Sequence, residues 1–592
     1  MDPTMSITTV GSTVSSASQV MLRFTEFDYA IFVVLLAISV VIGVYFGFFS
    51  KIKQNNVEEY LLGGKSMPKF PVAASLIATS VSGITLLGLP SEIYSYGTQI
   101  WLFVFSAIVL GLAMHFIYLP VFHDMQLTSC FSYLELRFDR IVRITASFVY
   151  ALSTLFLIPV VIYVPALAFS QVSGVNLHLI TLILCIICVF YTTIGGLRAV
   201  IWADTVQFLL MLVAIFAIIA LGLVDVGGWS EVWNRAQRGG RLLLFEFNPD
   251  PTLRTTFWSI TIGMTTNWLV VFGINQACIQ RFLAVPTKDA AKNSLKIYIV
   301  GLIVINSLAC FIGLLIYAKY EECDPITTKQ VQKLDQVVPF YVMDAGGKIP
   351  GLPGLFIAGV FSAALSTMSS GLNTLAGTIY EDFIRPCHPH ATDRSSSAVM
   401  KVIVVILGAL VIVLVFIVEK LGSIVQMAIS CTGVMSGSIL GMFTIGMVST
   451  KANTKGVVSG VVASISCMIT LWISALGKLK YDFLPLRNDG CDETILELLH
   501  NSTTTTPIPP TMADEQLPFI FRISFMYYSP IGLLIFWIVA YPVSLCTGGG
   551  KVTDQRLLTP FFRRKDEIKS NVELRVEMEG NGLLNDVTKD KI

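Results

Sequence analysis

The spacing of charged residues constrains this chain more than any other feature. Asp, Glu, Lys and Arg gather in short stretches separated by apolar runs of roughly 20 residues, the length a helix needs to cross a bilayer's hydrocarbon. About thirteen such runs are present: 28–50, 71–93, 100–123, 142–171, 177–194, 203–226, 255–282, 295–317, 352–380, 399–418, 424–448, 457–476 and 524–545. A single run could be the buried helix of a soluble domain. A soluble fold could not hide all of them, because 54% of the 592 residues are hydrophobic and only 13% are charged. Ordinary soluble domains carry about a quarter charged residues. The chain therefore reads as an all-α, multi-pass membrane protein whose first partner is the lipid bilayer. A net charge of +1 gives no reason to expect a nucleic-acid partner.

Lys and Arg in the short loops set the orientation. Placing the N-terminus outside puts Lys51, Lys53, Lys65 and Lys69 in the cytosol, with Arg137, Arg140, Arg143, Arg281, Lys288, Lys292 and Lys296. Arg235, Arg238 and Arg241 are the exception, since they fall outside. The glycosylation acceptor Asn501-Ser502-Thr503 falls outside as well, as it must to be modified. The expected organisation is an extracellular N-terminus (1–27), a transmembrane domain (28–547) and a mobile cytoplasmic tail (548–592). Extracellular loops are expected near 227–254, 318–351 and 477–523. The first apolar run lacks a cleavage pattern, so no signal peptide is read there. Of the eleven cysteines, Cys185, Cys188, Cys310, Cys431 and Cys467 sit in apolar runs and read as packing residues, with no zinc-type spacing.

Two runs do not read as uniform spans. Residues 73–90 crowd Ser75, Thr79, Ser80, Ser82 and Thr85 around Gly83, Gly88 and Pro90. Residues 363–373 carry Ser366, Thr367, Ser369, Ser370 and Asn373. Irregular backbone at membrane depth is tolerated only where it faces protein or a water-filled cavity, and secondary transporters hold ions on such unwound segments. Close helix packing through small residues, or hydroxyls bonded back to the i−4 carbonyl, would give the same composition. Sodium is a hard cation that carbonyl and hydroxyl oxygens can surround without a buried carboxylate.

Longer motifs add a resemblance. Tyr191-Thr192-Thr193-Ile194-Gly195-Gly196-Leu197-Arg198, Tyr133-Leu134-Glu135-Leu136-Arg137-Phe138 and Asn275-Gln276-Ala277-Cys278-Ile279-Gln280-Arg281 resemble signatures of the sodium/solute symporter family. Leu89-Pro90-Ser91-Glu92, Ile162-Tyr163-Val164-Pro165-Ala166-Leu167, Phe247-Asn248-Pro249-Asp250-Pro251 and Pro350-Gly351-Leu352-Pro353-Gly354 are similar to its monocarboxylate, iodide and multivitamin branch. The likeness runs from about Asp28 to Gly548. It implies two inverted five-helix repeats with broken first helices, preceded by an extra helix. It also implies a sodium site made by the carbonyls of Ala78, Val81 and Ala363 and the hydroxyls of Ser366 and Thr367. Asp204 matches an acidic residue on the inner sodium exit path; a pairing with nearby Arg198 is the alternative reading. The matching substrate positions are Ser82, Thr85, Phe156, Trp268, Phe272 and Ile429. Phe272 stands where sugar-transporting relatives place a tryptophan, and Phe156 where a tyrosine is common in this branch. Cys323 and Cys491, which the topology places outside in an oxidising compartment, match cysteines in relatives and are expected to be joined.

The resulting expectation is sodium-coupled symport of a small organic anion, a monocarboxylate or carboxylate vitamin, across the plasma membrane, with sodium as the coupling ion and no other cofactor. Rival readings are a sensor or leak channel on the same fold, or a symporter of an inorganic anion such as iodide. No nucleophile elbow, phosphate loop or metal cluster supports an enzyme.

Overall fold

Hydrocarbon has no water to satisfy the backbone, so the apolar runs must close their hydrogen bonds internally as helices. The computed structural model describes residues 24–563, apart from 50–56, 128, 348, 389, 391, 420–423, 476–478, 480, 492–517, 551 and 553. Among the described residues there is helix and connecting loop and no strand. In chain order the main helices are α1 (Glu26–Val44), α2 (Lys69–Ser80), α3 (Ile84–Tyr96), α4 (Thr98–Met125), α5 (Arg140–Ser173), α6 (Leu177–Val226) and α7 (Ser259–Ile274). They continue with α8 (Gln276–Leu283), α9 (Lys288–Lys319), α10 (Leu352–Ile379), α11 (Asp393–Val418), α12 (Ile424–Val448), α13 (Thr454–Ala475) and α14 (Tyr528–Cys546). Ten described helices are long and apolar enough to cross a membrane, and α2 with α3 forms an eleventh, bent span.

Local sequence sets the helix ends. Thr25 and Asp28 form a reciprocal capping box at the start of α1. The Asp139 carboxylate accepts from the Ile141 and Val142 N–H groups at the start of α5, and the Thr287 hydroxyl accepts from Ala290 N–H at the start of α9. Fifty residues of uninterrupted helix in α6 would reach about 75 Å, far more than a bilayer. The chain breaks instead at Gly196, whose φ of 56° and ψ of −165° only glycine adopts readily.

α10 is buried along most of its length and packs against α1, α2, α5 and α6, while α1, α6 and α14 keep broad apolar faces turned outward. Glycines on α10 let its neighbours approach closely: a Cβ on Gly354 would lie 2.5 Å from the Asp28 carbonyl oxygen on α1, and one on Gly359 2.9 Å from Ala214 Cβ on α6.

Two expectations are corrected, those for the run 255–282 and for the tail. The run 255–282 is not one helix: α7 ends at Ile274 and Asn275, in extended conformation, starts α8. The loop 318–351 holds a helix, Val337–Gly346. The described part of the tail is packed rather than mobile: Leu558 is fully buried, Thr559 N–H donates to the Met447 carbonyl, and Tyr133 donates to the Leu557 carbonyl.

Candidate functional site

The site grows from the break between α2 and α3. The helical ladder of α2 stops where Val81 N–H meets the Ile77 carbonyl at 2.9 Å, and resumes where Thr85 N–H meets the Ser82 carbonyl at 3.0 Å. Val81 is extended, and the axis turns by 58°. The Ser82 hydroxyl accepts from Ile84 N–H at 3.2 Å and so bridges the gap. Gly83 is required here: a Cβ would lie 2.8 Å from Cγ of Pro165 on α5.

A helix that ends inside the protein leaves carbonyls without partners. α10 answers with hydroxyls. Thr367 Oγ1 donates toward the Thr79 carbonyl at 2.9 Å and the Ala363 carbonyl at 3.1 Å. Thr79 Oγ1 lies 3.4 Å from Ser366 Oγ and 3.1 Å from Ser370 Oγ. The turn of α2 carrying Ala78 and Val81 thus meets the Ala363–Thr367 turn of α10, and Ala78, Val81, Ala363 and Ser366 are buried there.

Beneath this oxygen cluster lies a charge pair. Asp204 Oδ2 accepts from Arg281 Nη2 at 3.0 Å and from Ser75 Oγ at 2.5 Å. Arg281 also donates to Ser75 Oγ at 2.7 Å, to the Ala277 carbonyl at 3.0 Å and to Ser370. Both charges are fully buried, and the pair joins α6 to α8.

Above the cluster, the break opens onto a cavity of about 180 Å³. One wall is Thr79, Ser80, Ser82, Ile84 and Thr85; the facing wall is Asn267, Trp268, Val271, Phe272 and Asn275 from α7 and its end. Tyr150 and Thr154 on α5, and Ile429 and Thr432 on α12, close the sides. The two asparagines are held in place. Asn267 donates to Thr432 Oγ1 at 3.3 Å and accepts from Ser436 Oγ at 2.9 Å. Asn275 accepts from Ala277 N–H at 2.8 Å and from the Tyr150 hydroxyl at 3.3 Å. The lining contains no Asp, Glu, Lys or Arg. A small solute could be held here by hydroxyls, amides and the Trp268 and Phe272 rings, whose centroids are 5.2 Å apart.

A helix broken over a buried oxygen cluster, beside a neutral cavity, is the arrangement by which secondary transporters hold an ion and a solute together. The model of the Sodium:solute symporter family matches residues 60–464. This chain belongs to the sodium:solute symporter family. The symporter is 37% identical over 567 residues to "Sodium-coupled monocarboxylate transporter 1" of Homo sapiens, covering 93% of this chain and 92% of the relative. It is 36% identical over 517 residues to "Putative sodium-dependent multivitamin transporter" of Drosophila melanogaster, covering 86% of this chain and 84% of the relative. A solved Na+-coupled sialic acid symporter, substrate-bound and outward-open, superposes with a TM-score of 0.71 at 21% identity, covering 89% of this chain and 100% of that one, and shares the fold.

The symporter's cavity takes in five of the six sequence-derived substrate positions: Ser82, Thr85, Trp268, Phe272 and Ile429. Phe156 is a correction. It is 46% exposed on the outer face of α5, because the cavity-facing residues Tyr150, Thr154, Leu157, Ile158 and Val161 follow a helical repeat that leaves it out. Arg198 is a second correction. It donates to the Gly63 carbonyl and to Ser66, while Asp204 pairs with Arg281, which the topology had assigned to a cytosolic loop. Arg198 and Asp204 both follow the kink at Gly196, and six positions along one helix place them about 120° apart around its axis; α8, which starts at Asn275, brings Arg281 to Asp204. Cys323 and Cys491 form a disulfide, with Cα atoms 4.9 Å apart. Asn501 lies outside the described residues. Sequence reasoning missed Tyr150, Asn267, Asn275 and Thr432; an asparagine within an otherwise apolar run was the available signal.

Proposed function

We propose that this symporter couples inward sodium movement to uptake of a short monocarboxylate or a carboxylate vitamin at the plasma membrane. One observation carries the reading: Thr79 and Thr367 belong both to the oxygen cluster at the helix break and to the wall of an uncharged cavity. An anion entering a dry site without a counter-charge is costly. Arg281 cannot supply that charge, being neutralised by Asp204. Sodium held by the carbonyls of Ala78, Val81 and Ala363 and the hydroxyls of Ser366 and Thr367 would supply it from next door. Ser82 and Thr85 then donate to the carboxylate, and Trp268 and Phe272 cover the apolar body. The names of the monocarboxylate and multivitamin relatives point to the same substrate class. Sugars fit less well, since many hydroxyls need many polar partners once desolvated. Asp204 lies on the inner path by which sodium leaves.

The proposed topology has thirteen spans, counting α6 as two because of Gly196, α2 with α3 as one and α7 as one. The N-terminus lies outside and the tail inside. Two inverted five-helix repeats follow α1 and rock about the cavity. Each sodium charge that crosses contributes ~2.3 kcal/mol per 100 mV. Arg235 and Arg238, outside in this topology, pair with Glu231 and Glu321. The reading is tested by radiotracer uptake of lactate, butyrate, nicotinate, biotin, pantothenate, iodide and glucose, each with sodium or choline outside. Sodium-dependent uptake confined to one or more carboxylates is expected. Glucose uptake without carboxylate uptake would overturn it.

A further inference from the structure

A second concavity, of about 390 Å³, opens on the outer surface of the helical bundle, away from the substrate cavity. Its floor and walls come from three helices. Phe70, Ala74 and Ile77 project from α2 at i, i+4 and i+7; Ile297, Val300 and Gly301 come from α9, and Phe208 from α6. Lys296 is the one charged residue in the lining.

The groove has a direction. Ser294 donates to the Lys69 carbonyl at 3.1 Å at one end, and a Cβ on Gly301 would lie 2.3 Å from Ile77 Cδ1 at the other. α2 and α9 therefore run parallel here, with Lys69, Phe70 and Lys296 together at the mouth and Ile77 against Gly301 at the closed end. Lys69 and Lys296 are exposed, and Lys296 makes no ion pair among the described residues. Phe70 is 49% and Val300 61% exposed, so the groove faces whatever surrounds the bundle. In a membrane that is lipid.

Lipid tails are as apolar as these walls, so the groove gains little by hydrophobic burial and selects by shape and by the charge at its mouth. We infer that the groove between α2, α6 and α9 is a binding site for an anionic phospholipid, with an acyl chain along Phe70, Ala74 and Ile77 and the headgroup phosphate on Lys296, assisted by Lys69. The occupant lies against the inner half of the broken helix, so it bears on the element that the transport cycle has to move. The site does not depend on the substrate reading.

The test uses the full-length protein reconstituted in phosphatidylcholine vesicles containing a minor fraction of phosphatidylserine, then extracted, with retained lipid read by native mass spectrometry. Wild type is expected to retain phosphatidylserine in preference to phosphatidylcholine. Lys296→Gln is expected to lower that preference about fivefold, the weight of one cation at an anionic headgroup. Val300→Phe, which fills the groove from an exposed position, is expected to lower retention of both lipids. Both variants should keep sodium-dependent uptake in pure phosphatidylcholine, which shows that they fold. An unchanged preference in Lys296→Gln would overturn the site. So would retention of a neutral lipid regardless of Lys296, or disulfide cross-linking of two copies through Val300→Cys.

Discussion

At the scale of single residues, the oxygens around the break do different work from the charges beneath them. Thr367 is held between the Thr79 and Ala363 carbonyls, so its hydroxyl joins α2 to α10 in addition to its proposed role as a sodium ligand. Thr367→Ala is expected to cut sodium-driven uptake at least tenfold, and Ser366→Ala to raise the sodium concentration needed for half-maximal uptake, both at normal surface expression. Uptake and sodium dependence matching wild type in both variants would remove these residues from the ion site. Arg281 and Asp204 compensate each other in a fully buried setting. Removing one partner leaves a buried charge unpaired, at a cost of about 3–5 kcal/mol. Arg281→Gln should therefore melt well below wild type in thermal unfolding of the purified protein. The double variant Arg281→Gln/Asp204→Asn should recover much of that loss, since it leaves no charge behind. A double variant no more stable than the single one would contradict this account.

At the scale of elements, breaks matter more than helices. α2 and α3 part at Val81–Gly83, α6 kinks at Gly196, and α7 gives way to α8 at Asn275. Each break has a cause in small or capping residues: Gly83, Gly196 and Asn275. Gly196 is the clearest case, because its backbone conformation costs about 1–3 kcal/mol for a residue with a Cβ. Gly196→Ala is expected to lower melting temperature and yield, while Gly195→Ala probes a different limit: its added Cβ would meet Ala199 Cβ at 2.3 Å. If Gly196→Ala melts with wild type, the kink is not a strained feature of the fold. The disulfide from Cys323 to Cys491 works at the same scale, tying the segment after α9 to the segment after α13.

At the scale of the whole molecule, the proposed ion and solute sites share a wall, so the proposed function links their affinities, and linkage is reciprocal. Replacing sodium by choline should weaken carboxylate binding by at least tenfold, and saturating carboxylate should tighten sodium binding by the same factor, both read by calorimetry on the purified protein. Carboxylate affinity indifferent to sodium would break the proposed coupling. The N-out topology makes a separate prediction. Asn501→Gln should remove a glycosidase-sensitive mass shift from surface protein, and an unmodified wild type would remove this support for the orientation.

The sequence alone determined that this is a multi-pass helical membrane protein, because apolar runs of bilayer length have no other stable home. It also marked the broken span, because Gly83, Gly88 and Pro90 weaken a helix wherever it sits, and the hydroxyl-rich turn on α10. Of the six substrate positions that the family resemblance implied, five line the cavity. What that resemblance could not set was the direction of a side chain around a helix axis. Phe156 lies one residue from the cavity-facing Leu157 yet points outward, because neighbours on a helix differ by about 100°. Arg198 is six positions from Asp204 in the chain, but Arg281, seventy-seven positions away, reaches it at 3.0 Å. Burial decides such pairings: a carboxylate out of reach of water takes the cation the packing brings to it, and only the tertiary structure selects which one that is.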